Sequence, residues 1–268
     1  MERFFVGTHL LAHTKTLHSC FVSANLLYGR NKDLEINDWI MDSGAFTEIS
    51  RHGKYRVSEN LYAENVIRWS RCGNMIAAVT QDYMCEPFIL KKTGLSVREH
   101  QELTIDRFIK IRNLLPGNIY LMPVLQGYTE KEYLNCAALY GKLLKKYTYV
   151  GMESICKRNK DPLKILSILR AINYRYPYIK IHAFGIKTTS LQHIGIRKLI
   201  FSADSMAWSF NERAKGNGPG ANDPKICSNF LSEMSRYINH NDRDWETAEK
   251  INFRIPICCK DVVFIPNA

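Results

Sequence analysis

A chain of 268 residues, 46% of them hydrophobic, can bury a full core, so one large domain over residues 1–268 is the default reading. No apolar run approaches the roughly 20 residues of a membrane-spanning helix, and Met1-Glu2-Arg3-Phe4-Phe5-Val6 is too short an apolar start for a secretory signal. The net charge of +11 points to a polyanionic partner such as nucleic acid; the plainer alternative is a basic but ordinary soluble enzyme, because the Lys and Arg are spread out rather than run together.

In chain order, apolar strand-like runs fall at residues 4–6, 39–41, 75–79, 119–124, 147–150, 179–183 and 199–201. Helical patterns lie between them. Ser58 can cap a helix carrying Tyr62, Val66 and Trp69 on one face, and Ile105, Phe108, Ile109 and Leu115 stripe the next. Thr129 and Glu132 form a capping box ahead of Tyr133, Ala137 and Leu144. Asp161-Pro162 starts a helix that stops before Pro177, and Asp223-Pro224 repeats the device ahead of Phe230, Met234 and Ile238.

Strands alternating with helices predict a parallel α/β sheet, and the length suits a (β/α)8 TIM-like barrel, which takes about 250 residues. Seven strands are legible. The eighth is expected at 252–255 or 262–265, or the barrel is irregular at its last strand. A Gly-rich basic loop is expected at 211–222 and a C-terminal helical region at 223–268. Eight scattered cysteines (20, 72, 85, 136, 156, 227, 258 and 259) lack framework spacing, so a reducing cytoplasm is expected.

In such a barrel the chemistry sits at the C-terminal strand ends. Those ends read as a polar series: Gly7-Thr8-His9, Asp42-Ser43-Gly44, Thr80-Gln81-Asp82, Gln126-Gly127, Gly151-Met152-Glu153, His182-Ala183-Phe184-Gly185 and Ser202-Ala203-Asp204-Ser205. Asp and Gln together match a guanine-like edge, where a carboxylate accepts from N–H groups and an amide donates to a carbonyl. Asp42 and Asp204 each close an apolar run, and two carboxylates in one pocket can divide into nucleophile and proton carrier. Either could instead cap a helix, and Asp82 could be a turn residue before Pro87. His9 and His182 read as satisfied rim histidines. Glu153 could touch a base or ribose, or pair with Arg158.

These residues resemble a family. Asp42-Ser43-Gly44-Ala45-Phe46, Val124-Leu125-Gln126-Gly127, Val150-Gly151 and Phe201-Ser202-Ala203-Asp204-Ser205 are similar, in order and approximate spacing, to segments of tRNA-guanine transglycosylases. Gly7-Thr8-His9, the stretch from Gly151 to Arg158, the stretch from His182 to Lys187 and the stretch from Asp204 to Ser209 resemble more closely the 7-deazaguanine DNA-modifying transglycosylases of DpdA type, found in bacterial islands and phages.

The resemblance implies roles. Asp204 would attack C1′ of the target nucleotide and form a glycosyl-aspartate, and Asp42 would be the general acid/base. Asp82, Gln126 and the backbone at Gly151 would read the base, Phe46 would stack on it, and Phe184 would complete the base site. Lys157, Arg158, Lys187, Arg213 and Lys215 would form a basic rim. The implied partners are DNA, from which the target base is flipped out, and a 7-deazaguanine such as 7-cyano-7-deazaguanine as co-substrate. No cofactor is implied.

The family on tRNA carries a structural zinc, whereas Cys227, Cys258, Cys259 and His240 have the wrong spacing for one, so no metal and no zinc subdomain are expected. Thr47 stands where the family has Gln. Guanine exchange on tRNA and a non-catalytic nucleobase-binding barrel are the alternatives. A homodimer or a partner protein that opens the DNA is compatible with the sequence, and the location implied is the cytoplasm, that of the host if the gene belongs to a phage.

Overall fold

The computed structural model describes residues 1–155, 161–209 and 224–238. Its strands are β1 (Arg3–Thr8), β2 (Ser19–Ser23), β3 (Asp38–Asp42), β4 (Asn74–Val79), β5 (Leu121–Met122), β6 (Val124–Leu125), β7 (Tyr149–Met152), β8 (Lys180–Ala183) and β9 (Ser202–Ser205). All pair in parallel, in the order β5-β4-β3-β2-β1-β9-β8-β7-β6. β5 and β6 are two halves of one strand, split at Pro123. The first half pairs with β4 and the second with β7, so the sheet forms an eight-position TIM-like barrel. Proline has no N–H for a ladder; its carbonyl still accepts from Gly151 N at 2.9 Å.

The eighth position is filled by β2 near the N-terminus, between the first two expected strands. Residues 252–255 and 262–265, where the eighth strand was expected, lie outside the described residues, as does the loop 211–222.

Ten helices among the described residues cover the barrel: α1 (Ala45–His52), α2 (Glu59–Trp69), α3 (Pro87–Thr93), α4 (Val97–Leu114), α5 (Glu130–Tyr140), α6 (Lys142–Lys146), α7 (Pro162–Arg175), α8 (Thr188–Leu191), α9 (Ile194–Leu199) and α10 (Pro224–Ser235). The expected caps form: Ser58 accepts from Leu61 N, Thr129 and Glu132 make the full capping box, and Asp161 caps α7 with Pro162 in its first turn. The stripe on α4 differs from expectation. Its buried face is His100, Gln101, Thr104, Phe108 and Ile111, whereas Ile109 is 43% exposed. The run at 199–201 also proved misplaced: Leu199 ends α9, and the strand begins at Ser202.

Side chains alternate along each strand, and that alternation sorts two cores. Phe4, Val6, Cys20, Val22, Trp39, Met41, Val150, Met152, Ile181 and Ala203 point out to the helices. Phe5, Ile40, Ala77, Val79, Met122 and Val124 fill the barrel with Phe184. The inward phase then carries polar residues to the C-terminal rim: Asp42 follows Ile40, Gln126 follows Val124, Glu153 follows Gly151, and Asp204 follows Ser202. No described helix is long and apolar enough to cross a membrane.

Candidate active site

The inward residues converge on a cavity of about 160 Å³, lined by Phe21, Asp42, Ala45, Phe46, Val79, Asp82, Glu153, Phe184, Gly185 and Asp204. A larger cavity, about 540 Å³, opens at the opposite end around Arg3, His18, Asp38 and α10. The strand ends that carry chemistry in a barrel are at the smaller one.

Asp42 ends β3, and its position is fixed by the turn that follows. Its Oδ2 accepts from Gly44 N at 3.1 Å, and Gly44 has φ +79°, a left-handed conformation that costs glycine little. A Cβ at Gly44 would lie 2.4 Å from the Asn25 side chain. Burial, and next the charge of Asp204, push the Asp42 carboxyl up from 3.8 to about 6; hydrogen bonds from Gly44, Ser23 and Ser43 oppose them.

Asp82 lies beyond β4 and is buried. Ser43 Oγ donates to its Oδ1 at 3.0 Å and Gln126 Nε2 to its Oδ2 at 2.6 Å, while the Tyr55 hydroxyl accepts from its backbone N–H at 2.9 Å. Among the described residues no cation pairs with it. Burial, and next Asp42, raise its carboxyl to about 8. Glu153 is raised well above the usual range, by burial first and then by Asp82. Arg107 packs on the Tyr55 ring, 4.9 Å from its centroid, and bonds to Gln81, which steadies this side of the site from outside.

Gln126 is held at three points. Its backbone N–H donates to Cys136 Sγ at 3.3 Å, its carbonyl accepts from Gln101 Nε2 at 2.8 Å, and its amide donates to Asp82. The amide therefore faces Asp82, and Gln126 Oε1 is buried without a hydrogen-bond partner. Gly151 has a packing role. Its N–H is taken by Pro123, and a Cβ there would lie 2.3 Å from the Phe184 ring.

Asp204 lies inside β9, beside Phe5 of β1, and is 6% exposed. Its Oδ1 accepts from Gly185 N at 3.0 Å and lies 3.3 Å from His182 Nε2. Phe184 is buried at the cavity wall, and Phe46 is 52% exposed at its mouth, edge-on to Phe88 with centroids 6.5 Å apart.

The cavity thus brings together Asp42, Asp204, Asp82, Phe46 and Phe184. Gln126 reaches it through Asp82, and Gly151 stands behind Phe184. Lys187 is exposed at the N-terminus of α8, just past β8. Lys157, Arg158, Arg213 and Lys215 lie outside the described residues, as do Cys258, Cys259 and His240. Among the described residues no group of three or more His, Cys, Asp or Glu side chains is placed to hold a metal ion.

Sequence reasoning missed Phe21 and Ser23, because it missed β2. The signal was present: Cys20-Phe21-Val22 is an apolar run bounded by Ser19 and Ser23. Tyr55 and Ser43 were also missed, as polar residues that act through Asp82.

The sequence model of one protein family, DpdA, DeoxyPurine in DNA protein A, matches residues 1–254. The chain belongs to the DpdA family. Membership ties it to 7-deazaguanine modification of DNA and to transglycosylase-type enzymes. The DpdA match spans all nine strands and every residue that lines the cavity. No curated protein matches the chain.

Proposed function

We propose that this protein exchanges guanine in DNA for a 7-deazaguanine, such as 7-cyano-7-deazaguanine, by two displacements at C1′. The observation that carries the reading is the convergence of Asp42 and Asp204 on one cavity whose remaining walls include Asp82, Phe46 and Phe184. A binding module would not need a second carboxylate across the sugar.

In the first displacement Asp204 attacks C1′ and the C1′–N9 bond breaks. Guanine leaves with the bonding pair, and Asp42 gives it a proton. A carboxyl held near 6 carries that proton at useful occupancy near neutrality, the device that retaining glycosidases use. In the second displacement the Asp42 carboxylate takes the ring N–H proton of the incoming deazaguanine. Its nitrogen attacks C1′, and Asp204 leaves. Atoms and charge balance without a cofactor, because one glycosidic bond replaces another.

Asp82 suits the guanine edge. Burial and Asp42 keep its carboxyl largely protonated at neutral pH. An edge bearing N1–H and an exocyclic amine supplies the donors that its ionised form needs. Gln126 Oε1, buried and unpaired, is a further acceptor beside it. Phe184 and Phe46 stand on the cavity as stacking faces for the base. The target base must leave the duplex to enter, and exposed Lys187, with Lys157, Arg158, Arg213 and Lys215, would hold the flanking phosphates.

The test is release of labelled guanine from DNA and from tRNA in the presence of a 7-deazaguanine, with Asp204→Ala as control. Release from DNA alone, lost in the variant, is expected. Release from tRNA alone would overturn the substrate assignment, and release from neither would overturn the enzyme reading.

A further inference from the structure

We infer that His182 is the positioning residue of Asp204: it donates from Nε2 to Oδ1 and leaves Oδ2 as the attacking oxygen. The inference rests on the proposed role of Asp204 as nucleophile.

His182 lies on β8, inside the barrel, with no exposed surface. Phe21 stacks on its ring at 5.6 Å and 17°, and Phe5 and Phe184 meet it edge-on at 5.9 and 4.8 Å. The imidazole is therefore fixed in plane and direction. Its Nδ1 lies 2.8 Å from Ser202 Oγ, and that hydroxyl lies 2.6 Å from Tyr149 Oη. Ser202 is the register partner of His182 on β9, two residues before Asp204, so the ladder itself sets this spacing.

The proton order follows from the groups available. Burial keeps the Tyr149 phenol protonated. With Tyr149 donating to Ser202 and Ser202 donating to Nδ1, the ring proton is left on Nε2. In the opposite tautomer a bare Nε2 lone pair would face a carboxylate oxygen at 3.3 Å, which is repulsive. Beyond Asp204, Nε2 has no hydrogen-bond partner among the described residues. Asp204 Oδ1 lies 3.3 Å from it, a separation from which such contacts tighten once substrate is bound.

Oδ1 thus accepts from Gly185 N–H and faces His182 Nε2 at 3.3 Å, while no donor among the described residues reaches Oδ2. When Oδ2 attacks C1′, Oδ1 becomes the carbonyl oxygen of the glycosyl ester. The same two donors then receive the returning negative charge when Asp204 leaves. His182 moves no proton and touches no reacting atom; it selects one oxygen and one carboxylate rotamer.

Two measurements test this. In the first, 15N-histidine NMR of the free protein reads the tautomer without any need for activity. Protonated Nε2 with a bare Nδ1 is expected, with the Nε2 resonance shifting in Asp204→Asn; an Nδ1–H tautomer, or no shift, would overturn the inference. In the second, steady-state base exchange, read as guanine release at varied deazaguanine, gives kcat and KM for His182→Ala and His182→Gln. The alanine variant is expected to lose about 100-fold in kcat, the usual cost of one such donor, with KM for the deazaguanine within about twofold, and glutamine, which keeps an N–H, is expected to regain at least about tenfold. Equal losses in the two variants, or a loss confined to KM, would overturn it. If the wild-type protein releases no guanine the proposed reaction fails, and the NMR result alone then decides the positioning claim.

Discussion

Replacing Asp42 by asparagine should make the protein more stable while disabling it, and the size of the gain follows from the site. Asparagine keeps an acceptor for Gly44 N–H, bonded to Asp42 at 3.1 Å, so the turn survives. What disappears is a charge that burial and Asp204 disfavour. The folded carboxyl titrates near 6 against 3.8 in the unfolded chain, so at about 1.4 kcal/mol per pH unit the ionised group costs about 3 kcal/mol. The sign follows from proton binding. Between 3.8 and about 6 the folded state holds a proton that the unfolded state has lost, so wild-type stability falls as pH rises through that window and is level above it with respect to this group. Asp82 adds to the trend, since the Asp42 charge also raises its carboxyl. Urea unfolding of both proteins should give a difference near zero at about pH 4 that grows to about 3 kcal/mol in favour of the variant at about pH 7. A pH-independent difference, or a variant less stable at neutrality, would show that the Asp42 charge does not carry this cost. Base exchange should fall by about 10²–10⁴-fold in the variant. In the wild type the attachment step should weaken below about pH 6, where Asp42 no longer takes the proton.

Phe46→Ala should raise the KM for the deazaguanine by about 5- to 150-fold, the range expected for one stacking contact of about 1–3 kcal/mol. Thermal stability should hardly move, because the ring is half exposed. Gly151→Ala places a methyl 2.3 Å from the Phe184 ring and should lower stability by about 1–3 kcal/mol in chemical denaturation, with base affinity falling in parallel as the ring is displaced. Gln126→Leu removes the donor 2.6 Å from Asp82 Oδ2 and should cost about 1–3 kcal/mol, measured by the same denaturation, together with guanine-edge affinity read from KM.

The fold was legible where local physics and tertiary placement agree. Ser58, the Thr129-Glu132 capping box and Asp161-Pro162 start helices where the sequence says they should, because their side chains satisfy backbone N–H groups of the same turn. Asp42 and Asp204 were legible because each closes an apolar run and is followed by Ser, and Asp82 because it ends the polar Thr80-Gln81-Asp82 after the apolar run 75–79. The rest depended on partners distant in sequence. β2 is five residues long, with Ser19, Phe21 and Ser23 on its inner face, so its apolar signal is confined to Cys20-Phe21-Val22 between two serines. Ile109 fits the period of α4 yet faces outward, because a short stretch of periodicity leaves the phase of the stripe open. Gly151 looked like a ligand-facing glycine, and only the folded barrel brings Phe184 against it. His182 reads as an ordinary rim histidine until Ser202, twenty residues on, and Tyr149, thirty-three residues back, meet it across three strands.

The most direct test of the account is covalent trapping. Incubating the protein with guanine-containing DNA without a deazaguanine, then denaturing and digesting it, should leave an abasic deoxyribosyl nucleotide on the peptide that contains Asp204, absent in Asp204→Ala and chased off by added 7-deazaguanine. An adduct on another side chain, or guanine release with no adduct on Asp204, would contradict it.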